Sequence, residues 1–250
     1  MYQFFVEDSQ VSEKSILITG SDVNHIKNVL RMKKGQKIRI SDASGHGYFC
    51  NITDISQECV TSEIIEKDEF GTELSNRIYL FQGLPKGDKM ELIIQKAVEL
   101  GVYEIIPVAM KNCVVKLDDK KASKKIDRWQ SIAESAAKQS KRTLIPDIDS
   151  VMSFKNALER TKELDLTIVP YENERGMDAT REIIGSIKAG QSVGIMIGPE
   201  GGFSDEEIQL VNNLQEENNS IHKISLGRRI LRTETAGMAT LSMLVYELDE

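Results

Sequence analysis

The chain has 250 residues, a formal net charge of −7, 40% hydrophobic residues and 28% charged residues. This is the composition of an ordinary globular protein of one large or two average domains, which excludes disordered, collagen-like and disulfide-stapled chains. Apolar runs are too short for a transmembrane helix, so we expect no membrane partner. The first residues lack a basic start and an apolar core, so we predict no secretory signal and a cytosolic location.

Cysteine and histidine are rare and scattered. The three residues of each type are Cys50, Cys59, Cys113, His25, His46 and His222. No C-x-x-C pair occurs among them, and their spacing fits neither a disulfide framework nor a zinc site. We therefore expect no bound metal.

Basic residues are concentrated in three segments although the chain as a whole is acidic. Residues 23–41 carry six bases and no acid, and residues 111–142 carry ten bases against four acids. The third segment contains Lys223, Arg228, Arg229 and Arg232. One such segment alone is typical of a solvated face. Three together favour an RNA or DNA footprint, because phosphate binding requires local positive charge.

The chain up to about residue 72 is built of short, β-branched segments. These segments cover residues 15–19, 37–41, 48–55 and 59–65, with a short helix predicted near residues 22–30. Glycines punctuate the segments, which indicates a small β-barrel or sheet. The acidic stretch Glu66-Lys67-Asp68-Glu69, followed by Gly71, is typical of a linker.

From residue 77 onward, strand-like runs alternate with amphipathic segments. The runs cover residues 78–81, 104–108, 166–169, 193–197 and 223–226, and the helical segments cover 88–100, 124–141, 178–187, 205–214 and a last helix from about 235. This alternation predicts an α/β fold with a parallel sheet and helices on both faces. Ligands of such sheets bind at the carboxyl ends of the strands.

Two loops after predicted strands are candidate ligand sites. The first, residues 197–207, has three glycines within five residues, which permit close backbone approach, and Ser204 with Glu207 has the spacing of a capping box. The second, residues 225–236, places three arginines among apolar residues before a helix. Each alone could be an ordinary turn, but two such loops one helix apart favour a shared pocket. Neither G-x-G-x-x-G nor a P-loop is present.

The motifs Gly198–Ser204, Leu226–Ala236 and Lys86–Glu91 resemble the bacterial 16S rRNA (uracil-N3)-methyltransferase family of the SPOUT superfamily. Supporting matches occur at residues 25–31, 95–102 and 134–142, so the resemblance spans nearly the whole chain. One departure is Lys111-Asn112-Cys113, where the family pattern has an arginine before a small polar residue. No role in catalysis or RNA contact is assigned to that loop.

The resemblance implies a fold of two domains. Residues 1–72 would form a PUA-like β-barrel that binds RNA, and residues 73–250 a SPOUT methyltransferase domain whose deep trefoil knot holds the cofactor. It also implies a homodimer. The last helix carries a face of small residues that permits close helix approach, although packing within one chain explains that face equally well. The face consists of Ala236, Ala239, Thr240 and Met243.

The implied reaction is methylation of the ring N3 of a uridine in 16S ribosomal RNA of the small subunit, with S-adenosylmethionine as cofactor. The candidate catalytic residues are Arg232 and Lys89, for stabilising the imide anion or a flanking phosphate, and Glu234, for accepting the proton or positioning the cofactor. Each has a structural alternative. Arg232 could pair with Glu234, Lys89 could be a surface lysine, and Glu234 could favour a helix N-terminus.

The remaining candidate residues fall into two groups. The cofactor-binding group is Pro170, Ile197, Gly198, Glu200, Gly201, Gly202, Ser225, Leu226, Gly227, Ile230 and Leu231. The RNA-binding group is His25, Arg31, Lys33, Lys34, Lys86, Lys138 and Arg142, of which His25 could equally be structural. Two other functions stay open: a non-catalytic RNA-binding or ribosome-assembly protein, and a related SPOUT enzyme that methylates a ribose hydroxyl or a tRNA base.

Overall fold

The computed structural model describes residues 1–69, 71–218 and 220–249, without the side chain of residue 119. These residues form two compact units. The first consists of Met1–Glu73 with Ala137–Ile145, and the second of Leu74–Ala136 with Pro146–Glu250.

The first unit is a five-stranded sheet. Its strands are β1 (Tyr2–Phe5), β2 (Ser15–Thr19), β3 (Lys37–Ser41), β4 (Gly47–Ile55) and β5 (Cys59–Asp68), in the order β1-β3-β4-β5-β2. β1 runs parallel to β3, and the other neighbours are antiparallel. The prediction of a small N-terminal β domain is confirmed. The prediction of a linker at residues 66–69 is wrong, because β5 continues to Asp68, which pairs with Gly47 of β4.

The core of this unit follows from strand alternation. Ile16 and Ile18 on β2, Ile38 and Ile40 on β3, and Ile52 on β4 are fully buried. Side chains at every second position of a strand point to one face, so these isoleucines line one side of the sheet. The predicted helix near residues 22–30 is split into α1 (Ser21–Asn24) and a π-helical turn (His25–Val29).

Residues 137–145 group with the first unit, which differs from the expectation that everything after residue 72 lies in the second domain. The reason is a buried ion pair between Arg142, 4% exposed, and Glu73. Glu73 also accepts a hydrogen bond from the Thr143 amide at 2.8 Å. Gln3 donates a further hydrogen bond to the Arg142 carbonyl.

The second unit contains a parallel sheet flanked by helices. Its strands are β6 (Arg77–Gly83), β7 (Glu104–Ala109), β8 (Asp147–Ile148), β9 (Met152–Ser153), β10 (Leu166–Pro170), β11 (Ser192–Ile197) and β12 (Ile221–Ile224). Its helices are α2 (Lys89–Glu99), α3 (Asp119–Ser140), α4 (Phe154–Thr161), α5 (Asp178–Gly185), α6 (Asp205–Asn218) and α7 (Thr233–Leu248). The last turn of α3 belongs to the first unit. The predicted α/β class is confirmed; β8, β9 and α4 were not predicted.

The strand order brings four loops to one edge of this sheet. The order is β12-β10-β11-β6-β7-β8, with β9 beside β7, and every described pair is parallel. The carboxyl ends of parallel neighbours meet at one edge, where ligands of open α/β sheets bind. The segments that follow β6, β10, β11 and β12 therefore converge there.

Among the described residues, no helix is long and apolar enough to span a membrane. Within the same residues, no group of three or more histidine, cysteine, aspartate or glutamate side chains is placed to hold a metal ion.

Candidate active site

A cleft opens where the loops after β10, β11 and β12 meet at the carboxyl edge of the second unit. It consists of two adjoining cavities of about 100 and 470 Å³. Both are lined by Pro170, Glu172, Ile230, Leu231 and Ala236, which makes them parts of one continuous cleft. The larger cavity lies within the ~300–1,000 Å³ range of small-molecule sites.

The cleft brings together all of the predicted cofactor-binding residues except Ser225. The smaller cavity adds Leu226 and Gly227, and the larger adds Ile197, Gly198 and the loop from Glu200 to Gly202. Ser225 is buried behind the second loop, where its carbonyl accepts a hydrogen bond from Thr180 Oγ1 at 3.0 Å. Ser225 therefore holds the start of the second loop in place and does not line the cleft.

The conformation of the glycine-rich loop after β11 depends on two glycines, one in the loop itself and one at the end of β6. Gly202 has φ +66°, and its amide donates a hydrogen bond to the Pro199 carbonyl at 2.9 Å, which closes a tight turn. A Cβ on Gly83, at the end of β6, would lie only 2.7 Å from the Pro199 nitrogen. The strand and the loop can approach this closely only because Gly83 has no side chain.

A buried chain of hydrogen bonds fastens the glycine-rich loop to the sheet and to α7. Gln82 Nε2 donates to Thr233 Oγ1 at 2.9 Å, and Thr233 Oγ1 donates to the Gly198 carbonyl at 2.7 Å. Gln82 is completely buried and Thr233 nearly so. Because buried polar groups hold their partners strongly, this chain fixes the wall of the cleft.

Lys89 lies between two carboxylates at the rim of the larger cavity. Its ammonium nitrogen is 3.0 Å from Glu200 Oε1 and 3.2 Å from Glu234 Oε2. The hydrogen bond that the Lys89 ammonium donates to Glu200 is the main cause that raises the pKa of Lys89. Burial acts to raise the pKa of Glu200, but the Lys86 amide and the Lys89 ammonium outweigh it and hold that pKa below its usual value. Lys89 is therefore a permanent positive charge at neutral pH.

Arg232 and Glu234 occupy different positions relative to the cleft. Arg232 is exposed, lines the larger cavity and is the N-cap residue of α7. Glu234 contacts Lys89 and is not among the described lining residues. An Arg232–Glu234 ion pair, the structural alternative for Arg232, does not form in the part of the chain that is described.

Among the predicted RNA-binding residues, Arg31, Lys33, Lys34 and Lys86 are exposed. Lys34 forms a solvent-exposed ion pair with Asp54, which costs little to exchange for a phosphate. Lys86 lies in the second unit, next to the cleft residue Glu200, which accepts a hydrogen bond from its amide. The other three belong to the first unit.

The other three predicted RNA-binding residues are held by protein groups. The ring of His25 packs edge-to-face on Phe4, with centroids 6.4 Å apart, as expected for a structural histidine. Lys138 pairs with Asp22 at 3.3 Å. The Arg142 guanidinium is buried against Glu73, which argues against contact with phosphate. A basic pattern in sequence does not distinguish a surface cation from one that anchors a chain segment.

Nine lining residues were not among the individually named cofactor-binding candidates, although six of them lie within the two predicted loops, 197–207 and 225–236. They are Tyr171, Glu172, Arg175, Pro199, Phe203, Arg228, Arg229, Thr233 and Ala236. For Glu172 a signal existed, because it follows the last residue of β10 by two positions and so stands at the carboxyl edge of the sheet. Asn112 and Gln82 gave no such signal, since their contacts join residues far apart in the chain.

Sequence comparison places both units in known families. Residues 72–245 match the family described as RNA methyltransferase domain, and residues 18–65 match the family described as RNA methyltransferase PUA domain. The chain is 40% identical over 255 residues to ribosomal RNA small subunit methyltransferase E of Bacillus subtilis, an alignment that covers 100% of this chain and 98% of the relative.

Two solved structures resemble the protein over almost its whole length. One is ribosomal RNA small subunit methyltransferase E of Neisseria gonorrhoeae bound to S-adenosyl methionine, with 29% identity, a TM-score of 0.83, and 98% and 97% of the two chains covered. The other is a protein of Legionella pneumophila in complex with the bound cofactor SAM, with 28% identity, a TM-score of 0.82 and the same coverage. With the cleft at the expected edge of the sheet and both family matches in place, this chain belongs to the ribosomal RNA small subunit methyltransferase E family of RNA methyltransferases.

Proposed function

We propose that this protein transfers a methyl group from S-adenosylmethionine to the ring N3 of a uridine in 16S ribosomal RNA. The observation that carries the proposal is the cleft formed by the glycine-rich loop after β11 and the Leu226–Leu231 loop after β12. The family membership and the S-adenosylmethionine bound by the Neisseria gonorrhoeae and Legionella pneumophila proteins support it.

The cleft fits this cofactor chemically. Apolar side chains of Pro170, Ile230 and Leu231 offer a surface for a purine ring, while the glycine-rich loop leaves backbone groups accessible. Glu172 and Glu200 supply carboxylates for ammonium or hydroxyl groups. We also propose that the loops after β10, β11 and β12 are parts of the trefoil knot that the fold family implies.

The chemistry at the uridine requires control of one proton and one negative charge. When bound, S-adenosylmethionine supplies a methyl group on a positively charged sulfur. The guanidinium of Arg232 is free to stabilise the negative charge that spreads over the uracil carbonyl oxygens when N3–H is deprotonated. Arg232 and Lys89 both line the larger cavity, so both cations can act on that charge.

Lys89 acts as a fixed cation in this proposal. Its raised pKa rules it out as a proton acceptor at neutral pH, because an acceptor must be deprotonated first. Glu234, 3.2 Å from the Lys89 ammonium, orients that cation from outside the cleft lining. We also propose the carboxylate of Glu234 as the acceptor for the N3 proton.

RNA contact is assigned to exposed bases of both units. We propose that residues 1–72, with residues 137–145, form an RNA-binding domain in which Arg31, Lys33 and Lys34 contact phosphates, and that the remainder is the catalytic domain. Lys86 would contact RNA beside the cleft. A ribosomal RNA substrate further implies a cytoplasmic location.

We propose that the active form is a homodimer whose interface includes α7. A groove of about 590 Å³ runs between α5 and α7, lined by Met177, Ile184, Met243 and Tyr246 among others. Tyr246 is 87% exposed, an unusual position for a large aromatic residue. Light scattering of the unaltered protein and of Tyr246→Glu tests this assignment, with a monomeric variant expected.

The first experiment is calorimetric titration with S-adenosylmethionine, with NAD and ATP as controls. We expect binding of S-adenosylmethionine alone. Incubation with small ribosomal subunits and with protein-free 16S ribosomal RNA, followed by nucleoside analysis, should then yield N3-methyluridine. A folded protein that binds no cofactor, with or without RNA, would be an RNA-binding or assembly protein. A methylated ribose, or a product in tRNA, would identify a related SPOUT enzyme instead.

Arg232→Ala tests the catalytic assignment. We expect it to lower kcat far more than it weakens S-adenosylmethionine binding, because the charge that Arg232 stabilises develops in the transition state. Lys162→Ala is the control, since Lys162 is a surface cation paired with Glu159. Equal losses in kcat and in cofactor affinity would make Arg232 a cofactor-binding residue.

A further inference from the structure

The sequence departs from the family pattern in the loop after β7. In the structure, this loop is hydrogen-bonded to the glycine-rich loop of the cleft. Lys111, Asn112 and Cys113 follow the end of β7 at Ala109. Asn112 Nδ2 lies 3.1 Å from the Gly201 carbonyl oxygen and 3.2 Å from the Gly202 carbonyl oxygen. One side-chain amide thus donates to two successive carbonyls of the glycine-rich loop.

The backbone of Gly201 packs directly on Asn112. A Cβ on Gly201 would lie 3.0 Å from the Asn112 Cβ and 3.3 Å from the Asn112 carbonyl oxygen. Such distances are tighter than ordinary carbon contacts, which fall near 3.5–4.0 Å. Gly201 therefore leaves the room that lets the Asn112 amide reach both carbonyls.

A second connection holds the same two loops together. The Glu207 carboxylate accepts a hydrogen bond from the Lys111 amide at 2.8 Å through Oε1 and another from the Ser204 amide at 2.8 Å through Oε2. Glu207 is buried, so both bonds are shielded from water. The loop after β7 is consequently attached to the glycine-rich loop on both sides of Phe203.

We propose that Asn112 is a positioning residue for the cofactor, which it serves by fixing the peptide groups that join Gly201 to Gly202 and Gly202 to Phe203. A trans peptide directs its N–H opposite to its carbonyl. The Gly202 N–H accordingly points away from Asn112 and is taken by the Pro199 carbonyl at 2.9 Å. The Phe203 N–H also points away from Asn112, and it has no acceptor in the described part of the chain.

In this arrangement the Phe203 N–H is the backbone donor that is available to a ligand in the cleft. Gly202 and Phe203 both line the larger cavity. An unpaired backbone donor held in one orientation at a cleft is suited to an acceptor atom of a ligand, such as a carboxylate or a ring nitrogen. The inference rests on the proposed function, because the ligand would be S-adenosylmethionine.

The test is Asn112→Asp, which keeps the size of the side chain, removes both donor hydrogens and sets a carboxylate against two carbonyl oxygens. We expect the Kd and KM for S-adenosylmethionine to rise by about tenfold or more, since two hydrogen bonds are lost and each 1.4 kcal/mol is a factor of ten. The kcat at saturating cofactor and the KM for RNA should stay within about twofold.

Asn213→Asp is the matched control. Asn213 lies on α6, and its Oδ1 only accepts a hydrogen bond from Gln209 at 2.9 Å, which an aspartate accepts equally well. This variant receives the same negative charge in the same unit and should bind S-adenosylmethionine as the unaltered protein does. If Asn112→Asp does not fold, Asn112→Ala removes the donors without adding charge, and it should raise the same Kd by a smaller factor.

Two results would overturn the inference. One is an Asn112 variant with an unchanged Kd for S-adenosylmethionine. The other is a parallel loss of cofactor affinity, RNA affinity, kcat and thermal midpoint, which is the pattern of a residue that only stabilises the fold. Titration of the unaltered protein separates this inference from the proposed function: failure of the unaltered chain to bind the cofactor refutes the proposed function, whereas binding by it with no effect of Asn112→Asp refutes only the role of Asn112.

Discussion

Replacing Gly83 with alanine tests whether the contact between β6 and the glycine-rich loop controls the shape of the cleft. The new Cβ would lie 2.7 Å from the Pro199 nitrogen, 2.9 Å from Pro199 Cδ and 3.0 Å from the Ile197 carbonyl oxygen. Comfortable contacts of carbon begin near ~3.4 Å, so the loop must retreat by roughly 0.7 Å.

The cost can be estimated because no flexible side chain is available to give way. All three neighbours belong to backbone or to the proline ring. Overpacking of this kind costs about 1–3 kcal/mol. A retreat of the loop also lengthens the 2.7 Å hydrogen bond from Thr233 Oγ1 to the Gly198 carbonyl. If this strain energy destabilises the loop conformation that binds S-adenosylmethionine, the Kd for the cofactor rises by about 5–150-fold.

The assay is calorimetric titration together with thermal unfolding, and two other glycines provide controls. Gly185, at the end of α5, has nothing within 4 Å of its Cβ position, so Gly185→Ala should leave the Kd unchanged and stabilise the protein by about 0.5–1 kcal/mol. Gly194→Ala would meet Thr167 Oγ1 at 2.7 Å and Leu164 Cδ1 at 2.9 Å, away from the cleft lining. It should lower the thermal midpoint without changing the Kd of the folded protein.

The comparison of Gly83 with Gly194 decides the outcome. If Gly83→Ala binds S-adenosylmethionine with the affinity of the unaltered protein, the contact with Pro199 does not shape the site. If Gly194→Ala weakens binding by the same factor, the effect is a general loss of stability. Either result would refute the reasoning that links the end of β6 to cofactor affinity.

Three further predictions concern the first unit. Glu73→Ala removes one half of the buried Arg142–Glu73 ion pair and should lower the free energy of unfolding by about 3 kcal/mol in urea denaturation. A loss below about 1 kcal/mol would contradict a stabilising buried pair. Iodoacetamide at pH 8 should modify Cys59 before Cys50, because burial raises the pKa of the Cys50 thiol to about 11. Equal rates of modification of the two cysteines, followed by mass spectrometry, would disprove this. Lys33→Gln should reduce the slope of log Kd for RNA against log salt by about one unit, and an unchanged slope would remove Lys33 from the RNA surface.

Local sequence patterns were sufficient to predict the α/β class of the second unit and most of the loops that line the cleft. Strands and helices differ in the spacing of their apolar residues, and this spacing can be seen in the sequence. The alternation of apolar runs with amphipathic segments therefore predicted β6, β7, β10, β11 and β12. Parallel strands end at a common edge, so loops that follow them in sequence become neighbours in space. For this reason the sequence alone predicts that the loops at residues 197–207 and 225–236 form one pocket.

Contacts between distant residues were decided only by the tertiary structure. Arg142 looked like a phosphate ligand in its basic segment, yet it is buried against Glu73, 69 residues earlier in the chain. Asn112 departs from the family pattern, yet it donates to carbonyls 89 and 90 residues later. Periodicity and spacing carry information over a few turns or strands only. Which side chain reaches across to another loop depends on the packing of the whole unit, and that is settled when the chain folds.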